Sequence, residues 1–513
     1  MTWFFGITIG PIYGTMSLAR DTGGLWAASY LFSYISECLV AALGQLPGVH
    51  VFSPAPGVNR SNKRAGAFSD RIYFTYAEDR EIDSFLEELE KVKGEVIIQI
   101  AEDVLPSIDP DEYSGQGLKE RARHFLNRYL QVYYVGIDSS SLNGEPPLKK
   151  LNMLLDAAEL RPPYLSKHES PYLTARFLNN ETVKKSHMFG RAFGVDKFVF
   201  PSLTDIARTE IRKEGKSVRE VVVEKLSASQ DFQAKTKKDI PKFANYYALV
   251  RVDGDFIGRY ISSLDEIDEI TNTSRRLLEY AGSASEMIEK YGGFPVYAGG
   301  DDLMFFAPLI GWGETGDPVP IIRLLRALDE LFKKYVGERF SLSFGLAVTY
   351  HKYPLYEALD MSQEQLNKAK GYKTKNAVGI CLQTHSGQGA ELVLSLKDES
   401  ILGKIETLWN PLAQERVESL QSIERKLRER SPLLLEVLRV PDSQERDSRI
   451  SWWFAQEFEE DRASLGLVRD IVKDILLANV EEFSSLAEAI ERTEAILSFA
   501  RFMREHEEEN YGD

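Results

Sequence analysis

The sequence predicts an α+β fold built on two ferredoxin-like units, and three observations carry that expectation. Between residues 245 and 383, apolar strand-like runs alternate with amphipathic helices in the order β-α-β-β-α-β, with one more helix and strand appended. The N-terminal region follows the same plan in weaker outline, the pattern of a duplication. Beyond Lys397 the pattern turns strongly helical, with apolar stripes and charged outer faces typical of a small bundle. At 513 residues the chain is too long for one core. The expected domains are a first, degenerate unit over 1–151, a mixed, mostly helical middle domain over 152–243, a second and catalytic unit over 244–396, and a C-terminal helical domain over 397–513.

In the first unit, FFGITIGP reads as a strand, GGLWAASYLFSYISECLVAAL as a helix, AFSDRIYFTYA as a strand or half of a hairpin, and VYYVGID as a further strand. Residues 152–243 mix helix-like and loop-like sequence, including LRPPYL and the lysine-rich QAKTKKDIPK. The second unit opens with the buried strand YYALVRV, which ends at Asp253. The helix TSRRLLEYAGSASEMIEKYGG then stops at Gly292-Gly293. FPVYAGGDDLMFFAPL has the composition of a hairpin with its tip at Gly299-Gly300-Asp301-Asp302. IIRLLRALDELFKKYV, RFSLSFGLAVTY, LYEALDMSQEQLNKAKG and NAVGICLQ complete the unit as helix, strand, helix and strand. Its helices are expected to cover one face of the sheet and leave the other face and the strand ends open. The acidic tail REHEEENYGD reads as a solvated end.

Composition removes several classes. A hydrophobic share of 43% with 27% charged residues lets most of the chain fold, and a net charge of -16 argues against a broad grip on naked nucleic acid. Cys38 and Cys381 alone cannot build a disulfide framework or a Cys-rich zinc site. None of the seven histidines precedes an aspartate, which excludes a His-Asp metal phosphohydrolase motif. The N-terminal apolar run, broken by Gly6, Gly10 and Pro11, reads as a buried strand rather than a leader. No stretch is expected to be long and apolar enough to span a bilayer, so no membrane is expected and the cytoplasm is the default location.

The first and central strands of the ferredoxin-like order are neighbours, so acids at the end of YYALVRVDGD and at the GGDD tip can meet although far apart in sequence. Either motif alone is ordinary turn chemistry. Together, adjacent aspartates between apolar arms repel one another unless a cation neutralises them. Nucleotidyl transfer needs such a site, because two divalent ions activate a hydroxyl and stabilise the departing pyrophosphate. Asp253, Asp301 and Asp302 are the candidate catalytic residues. Asp253, Asp255, Asp301 and Asp302 form the candidate set for Mg²⁺ or Mn²⁺, with Asp253 and Asp301 the first choices as bridging ligands, since neighbours on a strand face opposite ways. Gly254, Gly258, Gly299 and Gly300 would let a triphosphate approach backbone N–H groups. Lys370 either contributes charge to that triphosphate or is a solvated residue at a helix C-terminus. His351 follows a strand directly and is either a nucleotide contact or structural.

These residues resemble a known family. YYALVRVDGDFIGRY, VYAGGDDLMFF, SLSFGLAVTYHKYPLYEAL, NKAKGYKTKN and THSGQ are together similar to the second palm of the large cyclase subunit of type III CRISPR-Cas effector complexes, Cmr type (III-B). ITIGP, LWAASYLFSY, AFSDRIYF and FPSLTDIA resemble that subunit's first palm and middle domain. The resemblance implies two palm/nucleotidyl-cyclase domains, partnership with other Cas subunits, crRNA and target RNA, and conversion of ATP into cyclic oligoadenylate after target RNA binds. It also implies that two family features are missing, the HD nuclease domain and the zinc cysteines. Asp70-Arg71 stands where the family commonly has Asn-Arg near the first-palm nucleotide, and an acid there favours a cationic acceptor over a second triphosphate. Joining ATP to S-adenosylmethionine, making SAM-AMP, is therefore the competing activity, unless Asp70 merely forms a salt bridge with Arg71. A stand-alone diguanylate or adenylate cyclase would need neither a silent first palm nor the helical tail. A catalytically retired structural subunit of an RNA-guided complex would have no use for Asp253, Asp301 and Asp302.

Overall fold

The computed structural model of the chain describes residues 2–58, 64–77, 81–104, 116–160, 187–193, 199–208, 212–213, 216–217, 220–221, 239–385, 387, 389–412, 417–458, 463–482 and 485–508. Most of the middle domain expected over 152–243 lies outside them. The first unit builds four antiparallel strands, β1 (Thr2–Gly10), β2 (Val49–Ser53), β3 (Arg71–Ala77) and β4 (Gln131–Asp138), in the order β2-β3-β1-β4, of which β1 and β3 are buried in continuous runs. β2 and β3 are the two arms of the hairpin of which the sequence pattern revealed one. The helices are α1 (Thr22–Leu43), α2 (Ile82–Val104) and α3 (Gln116–Tyr129). A fourth, α4 (Pro147–Glu159), crosses the expected domain boundary at 151. It buries Leu148, Leu151 and Leu155 with Phe52, Tyr73 and Ile137 of the first sheet, so its packing ties it to that unit.

The second unit carries β5 (Tyr246–Asp255), α5 (Ile267–Tyr291), β6 (Phe294–Gly299), β7 (Asp302–Pro308), α6 (Ile321–Val336), β8 (Ser341–Tyr350), α7 (Leu355–Gly371), β9 (Ala377–Gln383) and β10 (Gly389–Ser395). The sheet runs β10-β9-β8-β5-β7-β6, and β8–β9 is its parallel pair. Its four-strand core β6-β7-β5-β8 repeats the order β2-β3-β1-β4 of the first unit, so the duplication read from pattern is realised in topology. β10, which extends the sheet beyond β9, was not foreseen.

One face of the second sheet, with Ala248, Val250 and Val252, packs on Tyr280 and Ile288 of α5 and Phe332 of α6. The opposite face is not open as expected. Tyr247, Leu249, Met304 and Phe306 are buried in the core shared with the first unit, where α1 packs against β6 and the helix Leu203–Ala207 against β5 and β7. This also corrects the expectation of no span-length apolar stretch. α1 is long and apolar enough to cross a bilayer by length and composition, but 78% of that window is buried inside the protein. A helix sandwiched between two sheets is apolar all round for that reason. α7 lies directly on β8 and β9. A Cβ at Gly345 would meet Leu366 N at 2.2 Å, and one at Gly379 would meet Gln365 O at 2.3 Å. Only glycine lets the helix approach so closely, and the contact fixes where its C-terminal end projects.

C-terminal helices Glu399–Trp409, Val417–Glu429, Ser431–Leu438, Ser443–Glu457, Ala463–Glu482 and Leu486–Phe502 form the expected bundle. Its core is continuous with that of α5 and α6, and Phe502 meets Tyr246 edge to face at 4.8 Å. The tail expected to be solvated is partly structured, because His506–Glu508 pairs as a strand with Asp239–Pro241.

Candidate active site

Strand register brings the acids together. Leu303 of β7 pairs with Val252 of β5, which sets Asp302 beside Asp253 one step further on, while Ser343 of β8 pairs with Asp253 on the other side. Asp301 precedes β7 and folds back onto Gly254. A Cβ at Gly254 would lie 2.7 Å from both Asp301 Cβ and Oδ2, and the nearby Gly254 backbone favours the charged Asp301 carboxylate. The expected convergence of Asp253 with the hairpin tip is thus met through the backbone of the neighbouring residue. Burial is the main cause that raises the Asp301 carboxyl above the usual carboxylate range, followed by the charge of Asp253. Asp302 is raised well above that range, again by burial first, then by Asp301, Asp253 and Asp70. Asp302 nevertheless keeps solvent contact.

Asp255 is different. It is fully buried and accepts from Ser341 Oγ at 2.8 Å, Ser343 Oγ at 2.9 Å and the Asn376 N–H at 2.8 Å. These donors correct its candidacy as a metal ligand, since its oxygens are committed to tying β5, β8 and the segment before β9 together. Lys370, at the end of α7, is not a solvated lysine. Its Nζ lies 2.7 Å from Asp253 Oδ2 and 3.3 Å from Asp255 Oδ1, and it donates to Gly254 O at 2.6 Å. Among the described residues, no three His, Cys, Asp or Glu side chains are already gathered as a ready-made ion site.

The four glycines divide. Gly254 makes room for Asp301. Gly299 makes room for Tyr297, whose hydroxyl would lie 1.8 Å from a Cβ there, and Gly300 takes a φ of 81° at the hairpin tip. Gly258 faces open space, so a ligand can approach it. His351 is placed outside the centre. β8 pairs Ser343 with Asp253 but Tyr350 with Tyr246, so His351 lies at the other end of the strand, roughly 25 Å away at about 3.3 Å per residue. There its backbone N–H and Nδ1 both meet Asn245 O, and burial lowers its pKa, so it is a structural histidine.

Asp70 is brought to the site by the first unit. Gly66 O accepts from the Ala298 N–H at 2.8 Å, which docks the segment before β3 onto β6. Asp70 thereby adds to the charge felt by Asp302 and Tyr297. The simple Asp70–Arg71 salt bridge is not formed. Arg71 donates to Asp156 and Glu159 of α4 and to Asn152. Burial raises the Asp70 carboxyl despite the nearby charge of Arg71.

Sequence reasoning missed Tyr297, whose phenol is raised well above its usual value by burial and then by Asp302, Asp70 and Asp301. Its signal was a glycine two residues after an aromatic on one strand face, leaving space for the ring's polar tip. It also missed Arg251, two residues before Asp253 on the same face. The buried Arg251 guanidinium stacks over Tyr13 of the first unit and feels Asp302.

Comparison with known proteins agrees with this architecture. Residues 246–379 match the family model "Cas10/Cmr2, second palm domain", and residues 4–101 match "CRISPR-associated protein Cmr2, N-terminal". A Pyrococcus furiosus protein described as CRISPR system Cmr subunit Cmr2 is 28% identical over 214 residues, covering 34% of this chain and 23% of that protein. The matched region therefore spans about a quarter of that relative. Among solved structures, a chain of the type III-B Cmr-beta complex in its apo state aligns at a TM-score of 0.60 with 11% identity, covering 97% of this chain and 82% of the other. A chain of a Csm1-Csm4 cassette in complex with cA4 aligns at 0.52 with 14% identity, covering 98% and 70%. At such identities these two alignments speak for the fold. One family model thus falls on each palm and a curated Cmr2 is among the relatives, so over both palms the chain is similar to the Cas10/Cmr2 proteins of CRISPR systems.

Proposed function

We propose that this chain is the metal-dependent nucleotidyltransferase of a type III-B CRISPR effector complex, activated by target RNA and making cyclic oligoadenylate from ATP. The observation that carries the proposal is that Asp253, Asp301 and Asp302 lie close enough to feel one another's charge, with Lys370 paired to Asp253. Those carboxylates supply hard oxygen donors suited to Mg²⁺ or Mn²⁺, and the burial and then the neighbouring charge that raise Asp301 and Asp302 are both offset by added positive charge. Such ions, when bound, activate the attacking hydroxyl and stabilise charge on the departing pyrophosphate. Asp253 and Asp301 would hold them, with Asp302 beside Asp253 as the further donor. Asp255 keeps β5, β8 and the Asn376 segment in register behind the centre. Lys370 stands within reach of the phosphates, and the open side of Gly258 leaves backbone accessible to them. Other Cas subunits, crRNA and target RNA are the partners in this reading, and a cytoplasmic location belongs to it.

A second reading is favoured by Asp70. Its carboxylate adds to the charge felt by Asp302 while Arg71 is engaged by α4, which suits a cationic acceptor such as the sulfonium of S-adenosylmethionine and makes SAM-AMP the product. One experiment tests both. The assembled complex is incubated with cognate target RNA, Mg²⁺ or Mn²⁺ and labelled ATP, with and without S-adenosylmethionine, and products are identified by mass. Oligoadenylate in both mixtures supports the first reading, and a product that requires S-adenosylmethionine replaces it with the second. Asp301→Asn should abolish either product, and unaltered synthesis by that variant would refute the metal centre. Asp70→Asn should impair S-adenosylmethionine conjugation alone.

A further inference from the structure

We infer that the Lys370 ammonium and a divalent ion compete for the Asp253 carboxylate, and that exchange of one for the other frees the ammonium for the substrate's phosphates. The inference rests on the metal-centre reading above and adds an order of events to it. A lysine ammonium has three N–H donors. Here it donates to Gly254 O at 2.6 Å and lies 2.7 Å from Asp253 Oδ2 and 3.3 Å from Asp255 Oδ1, so the ammonium is turned to protein acceptors rather than to a phosphate. Asp253 is turned to the lysine, and no ready-made group of three ligating side chains exists among the described residues.

The arrangement is also built to open. Asp255 has Ser341, Ser343 and the Asn376 N–H as further partners, so it loses little when the lysine leaves. The Asp253 side chain is 39% exposed, and a half-solvated pair of this kind is weak enough to exchange. The backbone at the base of the lysine cannot follow. α7 is pressed onto β8 and β9 at Gly345 and Gly379, and two residues beyond Lys370 the Tyr372 hydroxyl accepts from Arg492 at 3.3 Å. Exchange must therefore occur by rotation about the lysine's own side-chain bonds, which swings the ammonium away from the carboxylates. A lysine that acted only as a phosphate ligand would leave metal affinity in the absence of nucleotide untouched.

Binding of Mn²⁺ to the full chain, followed by electron paramagnetic resonance without nucleotide, separates these cases. Removing a cation from beside a divalent ion should tighten Mn²⁺ binding by about tenfold in Lys370→Met, from Coulomb repulsion at contact distance in solvated surroundings. Lys370→Arg keeps the charge and should stay at the wild-type level. With a non-hydrolysable ATP analogue present the order should reverse, Lys370→Met holding Mn²⁺ and analogue together more weakly than wild type. The inference is overturned if Lys370→Met binds Mn²⁺ alone no more tightly than wild type, or if the arginine variant tightens equally. If Asp253→Asn and Asp301→Asn leave wild-type Mn²⁺ binding intact, the metal centre itself fails. Loss of Mn²⁺ binding in those two variants with no effect at Lys370 sinks only the exchange. Circular dichroism of each variant excludes misfolding as the cause.

Discussion

Replacing Gly254 with alanine puts one methyl group where β5 and the GGDD tip touch. Gly254 lies within a strand and has no positive φ, so the substitution carries no backbone penalty. The cost is steric. The new Cβ would stand 2.7 Å from Asp301 Cβ, 2.7 Å from Asp301 Oδ2 and 2.7 Å from Ile257 Cγ2. Carbon atoms rest at about 3.5–4.0 Å, so Asp301 must retreat by roughly 1 Å. Overpacking of this size destabilises by about 1–3 kcal/mol, which a chain with two large cores survives. A displacement of about 1 Å at a reacting centre lowers turnover by about a hundredfold. The assay is target-RNA-dependent consumption of labelled ATP by the assembled complex, with urea unfolding and complex assembly measured on the same preparation. Turnover near the wild-type rate in a folded, assembled Gly254→Ala complex would refute the argument, because Asp301 would then not need to lie on the backbone of β5.

Three further outcomes follow from the same geometry. His351→Ala should leave turnover within about twofold of wild type, since the residue lies at the far end of β8; a hundredfold loss would return it to the site. Asp255→Asn should lower stability by about 2–4 kcal/mol in chemical unfolding, because one acceptor oxygen among Ser341, Ser343 and the Asn376 N–H is replaced by a donor. Arg492→Met removes the donor that joins Glu482 at 2.7 Å to the Tyr372 hydroxyl. It should raise the KM for ATP more than it lowers kcat, by loosening the segment that follows Lys370, and equal losses in both would count against that assignment.

The βαββαβ order of the second palm was legible because each element carries its own period. β5 is apolar along its length before it turns acidic, and α5 and α6 show clear stripes. The meeting of Asp253 with Asp301 and Asp302 was legible for the same reason, since strand order in this topology makes the two segments neighbours. β2 and β10 were missed, being short strands whose stability comes from the neighbours they pair with. His351 and Asp255 were misassigned because a residue type next to a motif says nothing about which end of a strand it occupies or which donors meet it.

What the sequence determined by itself was the pattern of local order and the charge that had to be accommodated, two repeated units with an acidic tip on the second. These follow from side-chain period and turn chemistry, which act over a few residues. The tertiary structure alone decided that the second sheet is buried on both faces, that α1 is apolar for that reason, and that Lys370 meets Asp253 while Asp70 arrives from the other palm. Each of these is set by which surfaces exclude water together and by how closely backbones approach at Gly254, Gly345 and Gly379. Such contacts join residues distant in sequence, and no local pattern encodes them.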